Sequence, residues 1–222
     1  MNDLRIAEVT FTDTDVVLTL ANGGVVTTPL VRYIRVEKAT PAERTRWMHA
    51  DDGHGVNWPE LWEPDDEGMV SIWDILQDRL YEAALGRVQQ AGWDVDALSQ
   101  RDHELVALWR LEADINNGGF LQFFGNWGVR NHLTAVAALD LIGACRAAEL
   151  VRRMHAVIEP YADEVVSPAD LPGLLTESDH DRLQELDEAF WEYPDRLARL
   201  VVQHYDAHTH DDGTRRSHGG AQ

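Results

Sequence analysis

The stretch Leu111 to Gly128, LEADINNGGFLQFFGNWG, joins an apolar helix, a polar turn and four aromatic rings within eighteen residues. Upstream, Leu105, Leu108, Trp109, Leu111 and Ile115 recur at helical spacing. Asn116, Asn117, Gly118 and Gly119 tolerate left-handed backbone and predict a stop. Helical spacing then resumes with Phe120, Phe123, Phe124 and Trp127. Two amides so close to four rings predict a buried polar turn with its donors and acceptors matched. The stretch holds no nucleophile and no paired base, so it reads as a structural corner rather than a catalytic one.

Outward from this corner, the amino-terminal side reads as a small antiparallel sheet. Ile6 to Phe11, Val16 to Leu20 and Val25 to Thr28 form three strands, separated by Thr12-Asp13-Thr14-Asp15 and by Asn22-Gly23-Gly24. Val16, Leu18 and Leu20 alternate as in a sheet covered on one face, and Pro29 ends the third strand. Thr40-Pro41-Ala42-Glu43 starts a short helix reaching about Met48. Asp51 to Gly68 reads as an acidic loop, in which Trp58-Pro59 is a rigid anchor onto the sheet. From Ser71 the pattern is helical throughout. Caps fall at Ser71, at Ser99 with Asp102, and at Asn131, which begins a helix through the apolar positions Leu133, Val136, Leu139 and Ile142; Gly143 interrupts; Ser178 to Tyr193 and Pro194 to about His208 close the chain. The expected class is α+β: a small α+β module at 1–70, an all-α domain at 71–210, and a disordered tail at 211–222.

Lysine and arginine number 19 against 39 aspartates and glutamates, a formal charge of −20 that opposes direct nucleic-acid binding. No local basic patch relieves it. No apolar run is long enough to span a bilayer, the start MNDLRIAEVT lacks the form of a signal peptide, and the lone Cys145 lies in an apolar helical run with no intrachain partner for a disulfide. A cytoplasmic protein that does not engage membranes is expected.

The acid is concentrated. Between Arg153 and Arg196 stand twelve carboxylates, among them Asp163, Glu164 and Glu177, with Arg182 the only lysine or arginine. Asp181, Glu185, Glu188 and Glu192 are spaced four, three and four residues apart and form one helical stripe, with Leu183, Leu186, Phe190 and Tyr193 opposite. The stripe would run roughly 16 Å, comparable to five nucleotides of one DNA strand. General acidity for solubility would produce such a stripe without any partner. His204, His208 and His210, with Asp206, Asp211 and Asp212, could supply metal ligands, since His204 and His208 share a helix face, but a histidine-rich polar tail is the commoner origin of such a group; nothing sets the geometry of a second group, His49, Asp51, Asp52 and His54, so neither metal nor cofactor is expected. Glu112 and Asp114, two apart on a helix, point to different sides and do not pair for acid-base work. No phosphate-binding loop, dinucleotide fingerprint or nucleophile elbow is present, and the chain is not expected to be an enzyme.

Asn117, Gly118, Gly119, Phe120, Gln122, Phe123, Phe124 and Asn126 resemble the motif of the DNA-mimic protein family, acidic bacterial proteins with Asn-Gly-Gly-Phe followed by Gln-Phe-Phe. The resemblance implies a partner-binding role: the helical domain would occupy the DNA-binding surface of a basic transcription factor or nucleoid protein, without contacting nucleic acid itself. A homodimer is compatible with this. The order of the strands, Ala39 to Arg44 and Gly55 to Leu61 resembles a small uncharacterised bacterial family, in which histidine usually stands where this chain has Asn57. Some members are encoded beside putative toxins, which implies the alternative of an antitoxin or immunity role; a metal-dependent enzyme is the third reading.

Overall fold

The computed structural model describes residues 3–62, 68–161 and 170–209, with side chains as far as Asp206. Asp163, Glu164, His210 and the expected tail at 211–222 lie outside the described residues. The chain forms two compact units, Met1–Asp78 and Arg79–Gln222, which divide within one helix.

In the first unit, β1 (Ile6–Phe11), β2 (Asp15–Leu20) and β3 (Val25–Pro29) form an antiparallel sheet in that order. Alternation decides which face is covered: Val16, Leu18 and Leu20 are buried, while their neighbours along the strand are partly exposed. A single helical turn, Leu30–Arg32, leads into α1 (Ile34–Lys38), which the sequence pattern did not indicate. α2 (Pro41–Arg44) starts as expected, with Thr40 and Glu43 closing a reciprocal capping box, but it stops after four residues instead of reaching Met48.

The expected loop at 51–68 is partly sheet. β4 (Met48–Ala50), β5 (Gly55–Asn57) and β6 (Val70–Ser71) pair antiparallel in that order. Strands of two or three residues are too short to show a period of two, which is why sequence reading missed them. Trp58 is buried; its ring lies 6.1 Å from that of Phe11, and its Nε1 donates to the Arg44 carbonyl at 2.8 Å. The anchoring role expected of Trp58 therefore has a specific seat, while Pro59 is exposed.

α3 (Ile72–Gln90) begins where Ser71 Oγ accepts the amides of Trp73 and Asp74. Its second half contributes Tyr81, Ala84 and Val88 to the core of the second unit. There the helical run α4 (Gln100–Ile142) is capped by Ser99 and is broken twice, by non-helical backbone at Gly118–Gly119 and at Gly128. Gly143, at φ +82°, ends it and α5 (Cys145–Ile158) follows. A short turn α6 (Leu171–Leu174), then α7 (Glu177–Trp191) and α8 (Leu197–Thr209), complete the unit. α5, α7 and α8 pack on α4, and α5 also packs on α7.

Three expectations change here. Asn131 does not cap a helix; the break comes earlier, at Gly128, and Asn131 is buried, accepting from Arg110 Nη1 at 2.9 Å. Leu133, expected inside, is 61% exposed. Cys145 is exposed at the start of α5 rather than enclosed in an apolar run. Helical spacing tells which residues share a face, but a break shifts the phase of everything after it.

Candidate functional site

A helix interrupted at Gly118–Gly119 leaves carbonyls unpaired before the break and amides unpaired after it. α7 supplies partners for one of each. Asp187 Oδ1 accepts the Phe120 amide at 2.9 Å, and Trp191 Nε1 donates to the Ile115 carbonyl at 2.9 Å. Asp187 and Trp191 stand one turn apart, so a single helix face closes both sides of the break. Asp187 thus acts as an N-cap borrowed from another helix, with its carboxylate at the positive end of the segment that starts at Phe120.

This arrangement explains the second glycine. Gly119 has φ +81° and is buried; a Cβ there would lie 2.4 Å from Asp187 Oδ2. Both the left-handed backbone and the close approach of a carboxylate require glycine. Asp114 forms a second hub across the break, accepting from Gln122 Nε2 at 2.8 Å, Asn126 Nδ2 at 3.1 Å and Trp127 Nε1 at 2.5 Å. Glu112 points elsewhere, accepting from the Tyr81 hydroxyl.

The expected buried polar turn is corrected in one respect. Asn116 and Asn117 are exposed, and Asn117 Nδ2 reaches only Gln122 Oε1, at 3.3 Å. Gly118 and Asn126 are also exposed, Gln122 and Phe124 are half-buried, and Gly119, Phe120 and Phe123 are buried. The matched polar groups are thus the backbone of the break and the side chain of Asp114. Beneath them Phe120 and Phe124 set their rings against His132, which is 3% exposed and stacks on His155 at 4.3 Å. Burial, reinforced by His155 and Arg152, pulls the His132 pKa down to about 4. Burial likewise pushes Asp187 up to about 6, opposed by its bond from the Phe120 amide.

The outer face of α7 is different. Glu177, Asp181, Glu185 and Glu188 on the helix and Glu192 at its C-cap are all exposed, and none is in an ion pair among the described residues. Gln184 Nε2 donates to Glu188 Oε1 at 3.0 Å along the same face. Leu183, Leu186 and Phe190 are buried opposite, as the pattern predicts. Tyr193 is not: it is 61% exposed, with φ +50° where the chain leaves the helix. On one flank, Arg153 and Ala156 of α5 line a shallow groove with Arg182, Glu185 and Leu186, so guanidinium groups border the acidic row there.

Several carboxylates of the acidic segment are withdrawn from this surface. Asp179 closes the capping box with Thr176 and accepts from the Tyr161 hydroxyl at 2.6 Å. Asp195 Oδ2 accepts the amides of Arg146 and Ala147, both at 2.8 Å, and so caps α5. Sequence reading missed the roles of Asp187, Trp191, Asp114 and Asp195. For Asp187 a signal existed: it is a carboxylate on the apolar side of an otherwise amphipathic helix.

Among the described residues, no group of three or more histidines, cysteines or carboxylates could hold a metal ion, and no helix is long and apolar enough to cross a membrane. No curated protein and no solved structure matches the chain. Residues 6–63 match a family described as protein of unknown function (DUF2442), a span that holds β1 to β5. Residues 96–209, from the turn before α4 to the end of α8, match the family described as DMP19-like protein. That is just over half of the 222 residues, and the chain belongs to the DMP19-like protein family.

Proposed function

We propose that the protein is a binding protein of the DNA-mimic kind and not an enzyme, with the outer face of α7 standing in for a DNA phosphate backbone on a basic partner such as a transcription factor or nucleoid protein. The supporting observation is the row Asp181, Glu185, Glu188 and Glu192, extended by Glu177, exposed and outside any ion pair among the described residues on the face that α7 turns to solvent. Like charges at this spacing each cost a few tenths of a kcal/mol, and an ordinary solvated helix face intersperses signs. The family to which the chain belongs is consistent with this reading.

Association through such a row is electrostatic, weakens steeply with salt, and excludes DNA from the partner. The test is co-purification from the native host, followed by DNA competition on the basic protein retained, across a salt series. Two quadruple variants are compared. One neutralises Asp181, Glu185, Glu188 and Glu192 to asparagine or glutamine; the other neutralises Asp13, Asp15, Asp94 and Asp96, changing net charge equally. Loss of binding confined to the first supports the proposal. Equal losses, or a partner that binds DNA and this protein together, overturn it.

A further inference from the structure

The structure assigns to the Gly118–Gly119 break, with Asp187 and Trp191, a role as the seat that fixes the rotation of α7 about its own axis and hence the direction its acidic row faces. The importance of that direction for partner binding rests on the mimic reading above.

The apolar side of α7, Leu183, Leu186 and Phe190, holds the helix against its neighbours, but hydrophobic contact is non-directional and tolerates rotation. Hydrogen bonds do not tolerate it to the same degree. The bonds from Asp187 to the Phe120 amide and from Trp191 to the Ile115 carbonyl are directional and lie a turn apart. Both end on backbone groups that would be engaged within the helix if it were unbroken. A continuous helix at 115–120 would therefore offer neither contact, so the break creates the seat. Gly119 lets the Asp187 carboxylate approach, with a Cβ position only 2.4 Å from Oδ2.

On the helix, Asp187 lies about 100° to 160° of arc from each member of the acidic row. A rotation of about 30° at a side-chain radius of about 5 to 6 Å displaces the row by about 3 Å. That displacement is sideways, at right angles to the length of the row, and about as long as a charge-assisted hydrogen bond, so the seat fixes the direction in which the carboxylates meet a basic surface. Asp187 and Trp191 are positioning residues: they act through the helix, not by touching a partner.

The full-length protein tests this with two nitroxide labels, one on the native Cys145 and one on Ser178→Cys, both at exposed positions. Dipolar spectroscopy gives the distance distribution between them, and circular dichroism checks that helix content is kept. Asp187→Ala and Trp191→Phe should each broaden the distribution or shift it, by up to about 3 Å. Asp187→Asn, which keeps an acceptor oxygen, should restore the parental distribution; a generic loss of packing would not be rescued this way. Trp191→Phe removes the donor together with the five-membered ring of the indole while keeping an aromatic ring at the site, and the rescue by Asp187→Asn supplies the arm that separates lost bonding from lost packing. A parental distribution in folded Trp191→Phe and in the Asp187→Ala/Trp191→Phe double variant would overturn the proposal.

Its functional half is read with a rigid probe, a stapled helical peptide carrying lysines along one face. Trp191→Phe leaves net charge unchanged and should weaken binding by about threefold to tenfold. Unchanged affinity beside a shifted distance overturns that half. If the parent and the variant with the row neutralised bind the peptide equally, the mimic reading fails, while the distances still decide whether the seat exists.

Discussion

The two faces of α7 carry the same chemical group for opposite ends. Asp187 faces inward, 9% exposed, and closes a gap in another helix; Asp181, Glu185 and Glu188 face outward and form no ion pair among the described residues. The inner carboxylate is kept because a backbone amide needs an acceptor, at the cost of a charge held away from water. The outer carboxylates keep their hydration and gain nothing from the fold. The contrast shows that carboxylates on one helix serve two physical ends, one bonding a backbone amide and the others staying hydrated at the surface.

The largest test of the contrast is Gly119→Ala. It combines a left-handed backbone with a clash against Asp187 and should cost about 2 to 4 kcal/mol, read by chemical denaturation. A cost below about 0.5 kcal/mol, in the range of ordinary surface changes, would show that the break is not locked onto α7.

Acid separates the buried groups next. Asp187 titrates near 6 when folded against about 3.9 unfolded, so its contribution to stability is fully present below about 3.9 and is lost as pH rises through about 6. His132 titrates near 4 when folded against about 6.5 unfolded; its contribution is present above about 6.5 and is lost as pH falls through about 4. The two oppose each other across this window. Melting curves between pH 4 and 7 should show His132→Phe gaining stability on acidification relative to the parent, and Asp187→Asn losing it. Parallel curves for all three proteins would remove the buried charge from the account.

Asn117→Ala is a smaller test. Because Asn117 is exposed and makes one long bond, the change should cost less than about 0.5 kcal/mol. A loss of 1 kcal/mol or more would return the asparagine to the structural role its sequence position suggested. Smallest of all is the effect on stability of neutralising the outer row. It should be zero or a gain of a few tenths of a kcal/mol, as like-charge repulsion is relieved. A measurable loss would mean that these carboxylates hold the fold.

Much of this was legible from the order of residues. Asn-Gly-Gly gave the position of the break, Ser71, Ser99 and Thr40 gave helix starts, and Gly143 gave a helix end, because each depends on backbone preferences and hydrogen bonds within a few residues. The outward stripe was legible for the same reason, since position around a helix follows from spacing alone. The second sheet was not, its strands being too short to carry a pattern, and the exposure of Leu133 was hidden by the phase shift at Gly128.

The sequence by itself determined where the backbone would break and which carboxylates share a helix face, and its composition made the whole strongly acidic. Only the tertiary structure decided which polar groups meet. Phe120 and Asp187 are 67 residues apart, and Ile115 and Trp191 are 76 apart. Local spacing shows that a broken helix has unpaired groups but carries no information on which distant side chain will reach them. That is set by how α7 packs on α4, and it is why Asp187, one carboxylate among the twelve between Arg153 and Arg196, is turned inward onto a backbone amide while its neighbour Glu188 is exposed.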